Sequence, residues 1–362
     1  MTSQTRQLFG TDGIRGVAGE FPLTSESTFL IGRALGHDLA RTNPAACVVI
    51  GQDTRESSRW IADRLALGLT SCNVGVRSAG VITTPGVAYL ARSRKLDAGV
   101  VISASHNPWM DNGIKVFSRD GFKLPDSHEL TIEQEIFALL KKPEAHREPE
   151  SKPQSSIPGE HPLRTAYIEW LAANVATDLS GLRVLVDCAN GAATAEAPKL
   201  FRACGIQATF MHVSPDGKNI NHGCGALHPE TVAKKISESN GAFDLGVTFD
   251  GDADRALFSD ASGRVVNGDA VLLLAARDMH VRGLLPGSTV VATTMSNMGL
   301  EIAFKRSGIG MLRANVGDKY VLEEMMKTGA TLGGERGSER GRKQSGAEDG
   351  PGAHAVSGSG ER

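Results

Sequence analysis

Val100-Val101-Ile102-Ser103-Ala104-Ser105-His106-Asn107-Pro108, running on to Asp111-Asn112-Gly113-Ile114-Lys115, is the stretch on which the reading of this chain turns. Gly99 to Ile102 is apolar and largely β-branched, which predicts a buried strand. The run then becomes small and polar. Pro108 cannot continue a ladder, and it biases Asn107 towards extended backbone. Ser105 is therefore expected on a tight turn at a strand end, where ligands gather in open α/β sheets. His106 follows directly, and Lys115 lies past a second turn expected at Asp111-Asn112-Gly113. A hydroxyl, an imidazole and an ammonium near one another suit phosphate chemistry. Taken alone, Ser-His-Asn-Pro also reads as an ordinary turn.

A second stretch changes that balance. Asp250-Gly251-Asp252-Ala253-Asp254-Arg255 follows another apolar run, Leu245 to Phe249. Three carboxylates at alternate positions on a bent loop can converge on one hard cation, and Mg²⁺ is the ion expected beside phosphate oxygens. Without a cation such close carboxylates repel one another.

With Phe9-Gly10-Thr11-Asp12-Gly13-Ile14-Arg15-Gly16 as a third motif, the chain resembles the α-D-phosphohexomutase superfamily from about Leu8 to Glu335. The wording of Ile102 to Pro108, Asp111 to Lys115 and Thr294-Met295-Ser296-Asn297 is most similar to the bacterial phosphoglucosamine mutase branch. The resemblance implies a phosphoryl relay. A phosphorylated Ser105 gives its phosphoryl group to glucosamine monophosphate, the 1,6-bisphosphate turns round, and Ser105 takes back the other phosphate. It implies one Mg²⁺ held by Asp250, Asp252 and Asp254 with an oxygen of Ser105. Lys115 would transfer a proton, its pKa lowered by neighbouring cations. Arg15 and Arg255 would meet phosphate, and His106 and Asn107 would shape the catalytic loop. Glu335, closing Gly333-Gly334-Glu335, would accept hydrogen bonds from sugar hydroxyls. Asn219-Ile220-Asn221 and Cys224-Gly225 would lie near the site. The first phosphate on Ser105 would come from an activating kinase or from self-phosphorylation.

The rest of the chain frames these motifs. Its 362 residues carry 39 Lys+Arg against 41 Asp+Glu, a formal net charge of −2, so nothing points to nucleic acid or to an acidic membrane surface. Cys47, Cys72, Cys188, Cys204 and Cys224 are scattered, without a Cys-x-x-Cys pair, so neither a zinc site nor a disulfide framework is indicated. Reduced thiols fit a cytoplasmic protein. The N-terminus lacks a basic-then-apolar signal, and the apolar run near Ala270 to Ala276 is too short to span a bilayer. No Gly-x-Gly-x-x-Gly follows a strand, which argues against a dehydrogenase.

Organisation follows from periodicity. Gly10 to Gly13 reads as a turn. Thr24 or Ser25 caps a helix with Ile31, Leu35 and Leu39 on one face. Cys47 to Ile50 is a strand, and Ser57 or Ser58 caps the next helix. Asp126 and Glu129 read as a capping box. Prolines and charges make residues 141 to 162 a linker, and a helix reopens at 163 to 175. Strand, polar or glycine loop, helix, glycine, strand recurs from Cys47 to Gly75, Val184 to Gly205 and Val290 to Gly308. That implies three related α/β units with mainly parallel mixed sheets and right-handed crossovers.

The expected divisions are 1–155 with the phosphoserine loop, 156–258 with the metal loop, 259–335 as an incomplete third domain, and 336–362 as a disordered tail. Arg336 to Arg362 is nearly devoid of apolar residues and departs from the family pattern after Glu335. The expectation is a truncated chain without the family's fourth domain, which holds the substrate's non-reacting phosphate, and hence little mutase turnover. Two other phosphohexomutase activities, phosphomannomutase and phosphoglucomutase, share the core motifs. A haloacid-type phosphatase using Asp250 as nucleophile and a catalytically silent sugar-phosphate binder are the further readings.

Overall fold

The computed structural model describes residues 6–147, 160–335 and 354–357. The chain forms two compact units, Met1–Gly225 together with Phe249–Asp254, and Ala226–Thr248 together with Arg255–Arg362.

The first unit opens with β1 (Phe9–Gly10), β2 (Gly13–Val17), α1 (Ser25–Thr42), β3 (Cys47–Gln52), α2 (Glu56–Thr70), β4 (Gly75–Val81), α3 (Thr84–Ser93), β5 (Ala98–Ile102), β6 (Asp111–Ser118) and α4 (Asp126–Leu140). Their strands form a mixed sheet in the order β1-β2-β6-β5-β3-β4. β3 is parallel to β4 and β5, whereas β6 is antiparallel to both β5 and β2. All five residues of β5 are buried. Alternation sends Val100 and Ile102 into a core with Val48, Ile50, Leu30 and Leu65, and Val101 into one with Val49, Ile82 and Leu90. A strand apolar on both faces is what a sheet covered on both sides requires. Each such aliphatic side chain contributes roughly 1.5–3 kcal/mol on burial. On one face α1 and α2 meet at Gly32 and Gly68, where an added Cβ would lie 2.2 Å from the carbonyl oxygens of Leu65 and Phe29 respectively.

The unit continues with α5 (His161–Ala173), β7 (Arg183–Asp187), α6 (Ala197–Ala203) and β8 (Gln207–Met211), β7 and β8 being parallel.

The second unit carries α7 (Pro229–Ser237), β9 (Leu245–Phe249, leading into the Phe249–Asp254 segment of the first unit), β10 (Ala256–Asp260), β11 (Val265–Val266), α8 (Gly268–Val281), β12 (Thr289–Thr293), α9 (Met298–Arg306), β13 (Gly310–Ala314), α10 (Asp318–Thr328), β14 (Leu332–Glu335) and β15 (His354–Ser357). β12 lies between β13 and β14, parallel to both. Leu272, Val290, Ala292, Leu300 and Phe304 pack on one side of this sheet, Val291, Val321 and Met325 on the other. The repeat in the sequence thus corresponds to three strand–helix–strand crossovers between parallel neighbours, β3–α2–β4, β7–α6–β8 and β12–α9–β13. Among the described residues no helix is long and apolar enough to cross a membrane.

Several local expectations are met and others corrected. Thr24 caps α1, its hydroxyl accepting from Ser27 N, and Asn297 caps α9. Ser57 and Ser58 do not cap α2. The N-cap is Arg55, without a side-chain bond, because both hydroxyls are engaged elsewhere, by Asn112 and Asp53. Asp126 and Glu129 form no capping box. Pro125 is the N-cap, and Glu129 pairs with Arg6 instead. Asp111-Asn112-Gly113 is not a turn but the start of β6, paired with β2. The reversal is completed earlier, at Pro108 to Met110, where Asp111 N donates to Pro108 O.

Most of the linker and of the expected disordered tail lies outside the described residues. His354–Ser357, placed in that tail, instead pairs antiparallel with β14, since an open strand edge accepts any extended segment.

Candidate active site

The carboxyl ends of β3, β4 and β5 converge, and the loops leaving them carry Asp53, Thr84 and Ser105. Ser105 is fully buried and lies at φ 55°, a left-handed conformation that costs a non-glycine residue roughly 1–3 kcal/mol. Its surroundings hold it there. Ser103 Oγ accepts from Ser105 N at 2.9 Å and donates to Asp53 Oδ2 at 2.6 Å. Arg55 donates to the carbonyls of Ser105 (3.1 Å) and Asn107 (2.6 Å) and pairs with Asp53, both side chains being wholly buried. Asn221 donates to the Ser105 carbonyl at 3.0 Å. Ser58 donates to Asp53 at 2.6 Å.

Ser105 Oγ donates to Asp250 Oδ2. His106 Nδ1 is 3.4 Å from the same hydroxyl. Asp250, Asp252 and Asp254 each offer an oxygen, and these lie within 4.8 Å of one another. Asp252 Oδ2 accepts from Lys115 (2.7 Å) and Thr84 Oγ1 (2.6 Å), while its Oδ1 is buried with no hydrogen-bond partner. An all-oxygen donor set with an unsatisfied buried acceptor fits a hard divalent cation such as Mg²⁺. Behind the loop, Gly191 approaches so closely that an added Cβ would sit 2.4 Å from Gly251 O, and Ala192 N donates to that oxygen at 2.8 Å.

Lys115, in the middle of β6 and 1% exposed, is shared by Asp252 (2.7 Å), Asp254 (3.0 Å) and Asp12 (3.0 Å). Burial pulls its pKa down, but the three carboxylates outweigh burial and hold it well above the ordinary value. The lowered pKa expected from neighbouring cations differs from what these side chains alone produce, since the three carboxylates outweigh both burial and the nearby Arg15. Asp12, at the β1–β2 turn, also takes Lys123 (2.6 Å) and pairs with Arg15. Burial raises its pKa, yet Lys115, Lys123 and Arg15 together keep it well below the usual carboxylate range. Arg15 Nη1 lies 3.5 Å from Asn107 Oδ1.

Ser105, His106, Lys115, Arg15, Asp250, Asp252 and Asp254 are thus gathered in the first unit. Arg255 and Glu335 belong to the second, Arg255 half-buried just before β10 and Glu335 buried at the end of β14. Asp12, Asp53, Arg55, Thr84 and Lys123 escape the sequence reading. Asp53-Thr54-Arg55 did carry a signal, a polar run at the end of a buried strand, the same setting that draws attention to Ser105.

The chain matches, in order, the family descriptions "Phosphoglucomutase/phosphomannomutase, alpha/beta/alpha" domain I over residues 6–142, domain II over 165–263 and domain III over 267–338. It is 63% identical to a phosphoglucosamine mutase of Koribacter versatilis over 93% of this chain and 73% of that protein. It is 52% identical to one of Solibacter usitatus, over 91% of this chain and 72% of that one. A crystal structure of a phosphoglucomutase/phosphomannomutase family protein from Burkholderia thailandensis superposes with a TM-score of 0.76 at 27% identity, over 91% of this chain and 70% of that one.

Proposed function

The chain belongs to the phosphoglucomutase/phosphomannomutase family, the phosphohexomutases, and from that premise we propose that it interconverts glucosamine 6-phosphate and glucosamine 1-phosphate in the cytoplasm. The observation that carries this reading is the Ser105 hydroxyl bonded to Asp250 within a buried cluster of three carboxylates and a lysine. Its 63% and 52% identity to phosphoglucosamine mutases supports the amino sugar as substrate.

In the proposed reaction Ser105 carries the phosphoryl group. The bond from phosphorus to Ser105 Oγ breaks as one forms to the free sugar hydroxyl, whose proton passes to an oxygen of the transferring phosphoryl group. The 1,6-bisphosphate reorients, and Ser105 Oγ takes the other phosphoryl group while the sugar oxygen regains a proton. Asp250, Asp252 and Asp254 would hold a Mg²⁺ ion, which when bound would supply positive charge to the transferring group. Arg55, Asn221 and Ser103 fix the backbone that aims Ser105. Burial of Ser105 keeps water from the phosphoserine. Lys115, charged, anchors Asp12, Asp252 and Asp254 and balances the negative charge beside the transferring group. Arg15 and Arg255 are assigned to phosphate and Glu335 to sugar hydroxyls. The sugar bisphosphate primes Ser105, with self-phosphorylation or a kinase as the alternative source.

Phosphorus NMR tests this directly. Glucosamine 6-phosphate with Mg²⁺ and a trace of the 1,6-bisphosphate is expected to yield the 1-phosphate at low turnover, and Ser105→Ala to yield none. Faster conversion of glucose or mannose phosphates would overturn the choice of sugar. A phosphoenzyme that survives Ser105→Ala but not Asp250→Asn would overturn the serine relay.

A further inference from the structure

A second set of ligating side chains lies at the ends of β7 and β8. Asp187 ends β7, His212 follows β8, its parallel neighbour, and Cys224 precedes Gly225. One carboxylate oxygen, one imidazole nitrogen and one sulfur from these residues lie within 4.8 Å of one another. Asp187 and Cys224 are fully buried. Asp187 is fixed by Ala189 N at 2.8 Å and Gly225 N at 3.0 Å. His212 is held at φ 50° with its carbonyl accepting from Asn190 N at 2.8 Å.

The decisive atom is His212 Nδ1. It stands 3.0 Å from Asp187 Oδ1, at ion-pair distance, but it is buried and makes no well-directed hydrogen bond. A buried polar atom left unpaired is costly. With the thiol of Cys224 beside these two groups, the three ligand atoms lie close enough together to share one ion. We infer that Asp187, His212 and Cys224 form a binding site for a thiophilic transition-metal ion of the Zn²⁺ class.

The donor set decides the metal class. Sulfur and imidazole nitrogen select Zn²⁺ or Co²⁺, whereas the all-oxygen cluster of Asp250, Asp252 and Asp254 suits Mg²⁺. Three protein ligands leave the fourth tetrahedral position to water. The His212 side chain is 30% exposed, which gives the ion a way in. As the metal–sulfur bond forms, Cys224 releases its thiol proton to solvent.

The site would brace rather than react. Its ligands tie together the ends of β7 and β8 and the loop from which Asn221 reaches the Ser105 carbonyl. The Ala189–Gly191 turn beside Asp187 contacts Gly251 of the acidic loop through Gly191 and Ala192. The inference does not depend on which sugar the enzyme takes.

The test uses the full chain stripped of metal, with Co²⁺ alone as probe. One Co²⁺ per chain is expected to give a thiolate-to-metal charge-transfer band that persists under excess Mg²⁺ and in Asp252→Asn. Cys224→Ser should abolish it. His212→Gln, at a half-exposed position that leaves no core cavity, should weaken Co²⁺ binding by more than about 100-fold, beyond what losing an outer hydrogen-bond partner of a ligand costs. No band in the parent chain overturns the proposal. So does a band that persists unchanged in His212→Gln, which stays informative even where Cys224→Ser does not fold.

Discussion

Replacing Arg55 with Lys keeps a buried positive charge beside Asp53 but removes the planar fork that reaches both the Ser105 and Asn107 carbonyls. Each hydrogen bond from a charged donor contributes roughly 1.5–3 kcal/mol, so losing both would cost at most about 3–6 kcal/mol. That exceeds the roughly 1–3 kcal/mol with which left-handed Ser105 resists its native conformation. The loop should therefore relax and Oγ should leave its aim. At about 1.4 kcal/mol per tenfold, even half of the smaller figure slows phosphoryl transfer by about tenfold. Arg55 is wholly buried and acts on the backbone of Ser105, so kcat should fall with KM little changed. The assay is single-turnover phosphorylation of Ser105 by the sugar bisphosphate, followed by intact mass, alongside urea unfolding. Arg55→Lys should be both less stable and slower per folded molecule. A folded variant that phosphorylates Ser105 at the parent rate would refute the argument that Arg55 positions the nucleophile.

Glu196 gives a pH signature. Burial raises its carboxyl to about 7 from 4.5. Stability from the protonated form is fully present below 4.5, declines as pH rises, and is lost once pH passes the folded value, a change of about 3 kcal/mol. Glu196→Gln should flatten that decline, and parallel urea midpoints for the two proteins at about pH 5 and pH 8 would contradict it. Gly191→Ala drives a methyl towards Gly251 O and should cost about 1–3 kcal/mol while weakening Mg²⁺ binding, measured by calorimetry. Unchanged affinity would dissociate that contact from the metal loop. Lys115→Met strips Asp12, Asp252 and Asp254 of their shared cation. Its unfolding midpoint should rise with Mg²⁺ far more steeply than the parent's, and equal slopes would count against Lys115 as the internal counter-ion.

Local sequence signals carried much of this protein. The β-branched run at Val100 to Ile102 reads as a buried strand, and the polar break after it marked the turn that carries Ser105. Three carboxylates spaced along one short loop read as a cation site, and the fold brings an oxygen of each within 4.8 Å of the others. The strand–loop–helix–glycine–strand repeat reported parallel crossovers before any contact was known. Asp111 to Gly113 misled, because Asn-Gly is turn chemistry only where the chain actually reverses, and here Pro108 to Met110 had already done so. Ser57 and Ser58 misled in the same way, their hydroxyls being drawn to Asn112 and Asp53.

What composition and spacing could not contain is the electrostatics of approach. Residues 12, 115 and 252 are remote in sequence, yet the meeting of these side chains alone raises Lys115's pKa where the family resemblance implied a lowered one. Asp53 and Arg55 became the support of Ser105 only when β3 and β5 lay side by side. Asp187, His212 and Cys224 share no motif spacing at all, and only the parallel pairing of β7 with β8 brings the first two together. Periodicity is a property of neighbours along the chain and is written locally. Coulomb interactions and ligand sets depend on distances of a few ångströms between segments, and those exist only once the sheets have assembled.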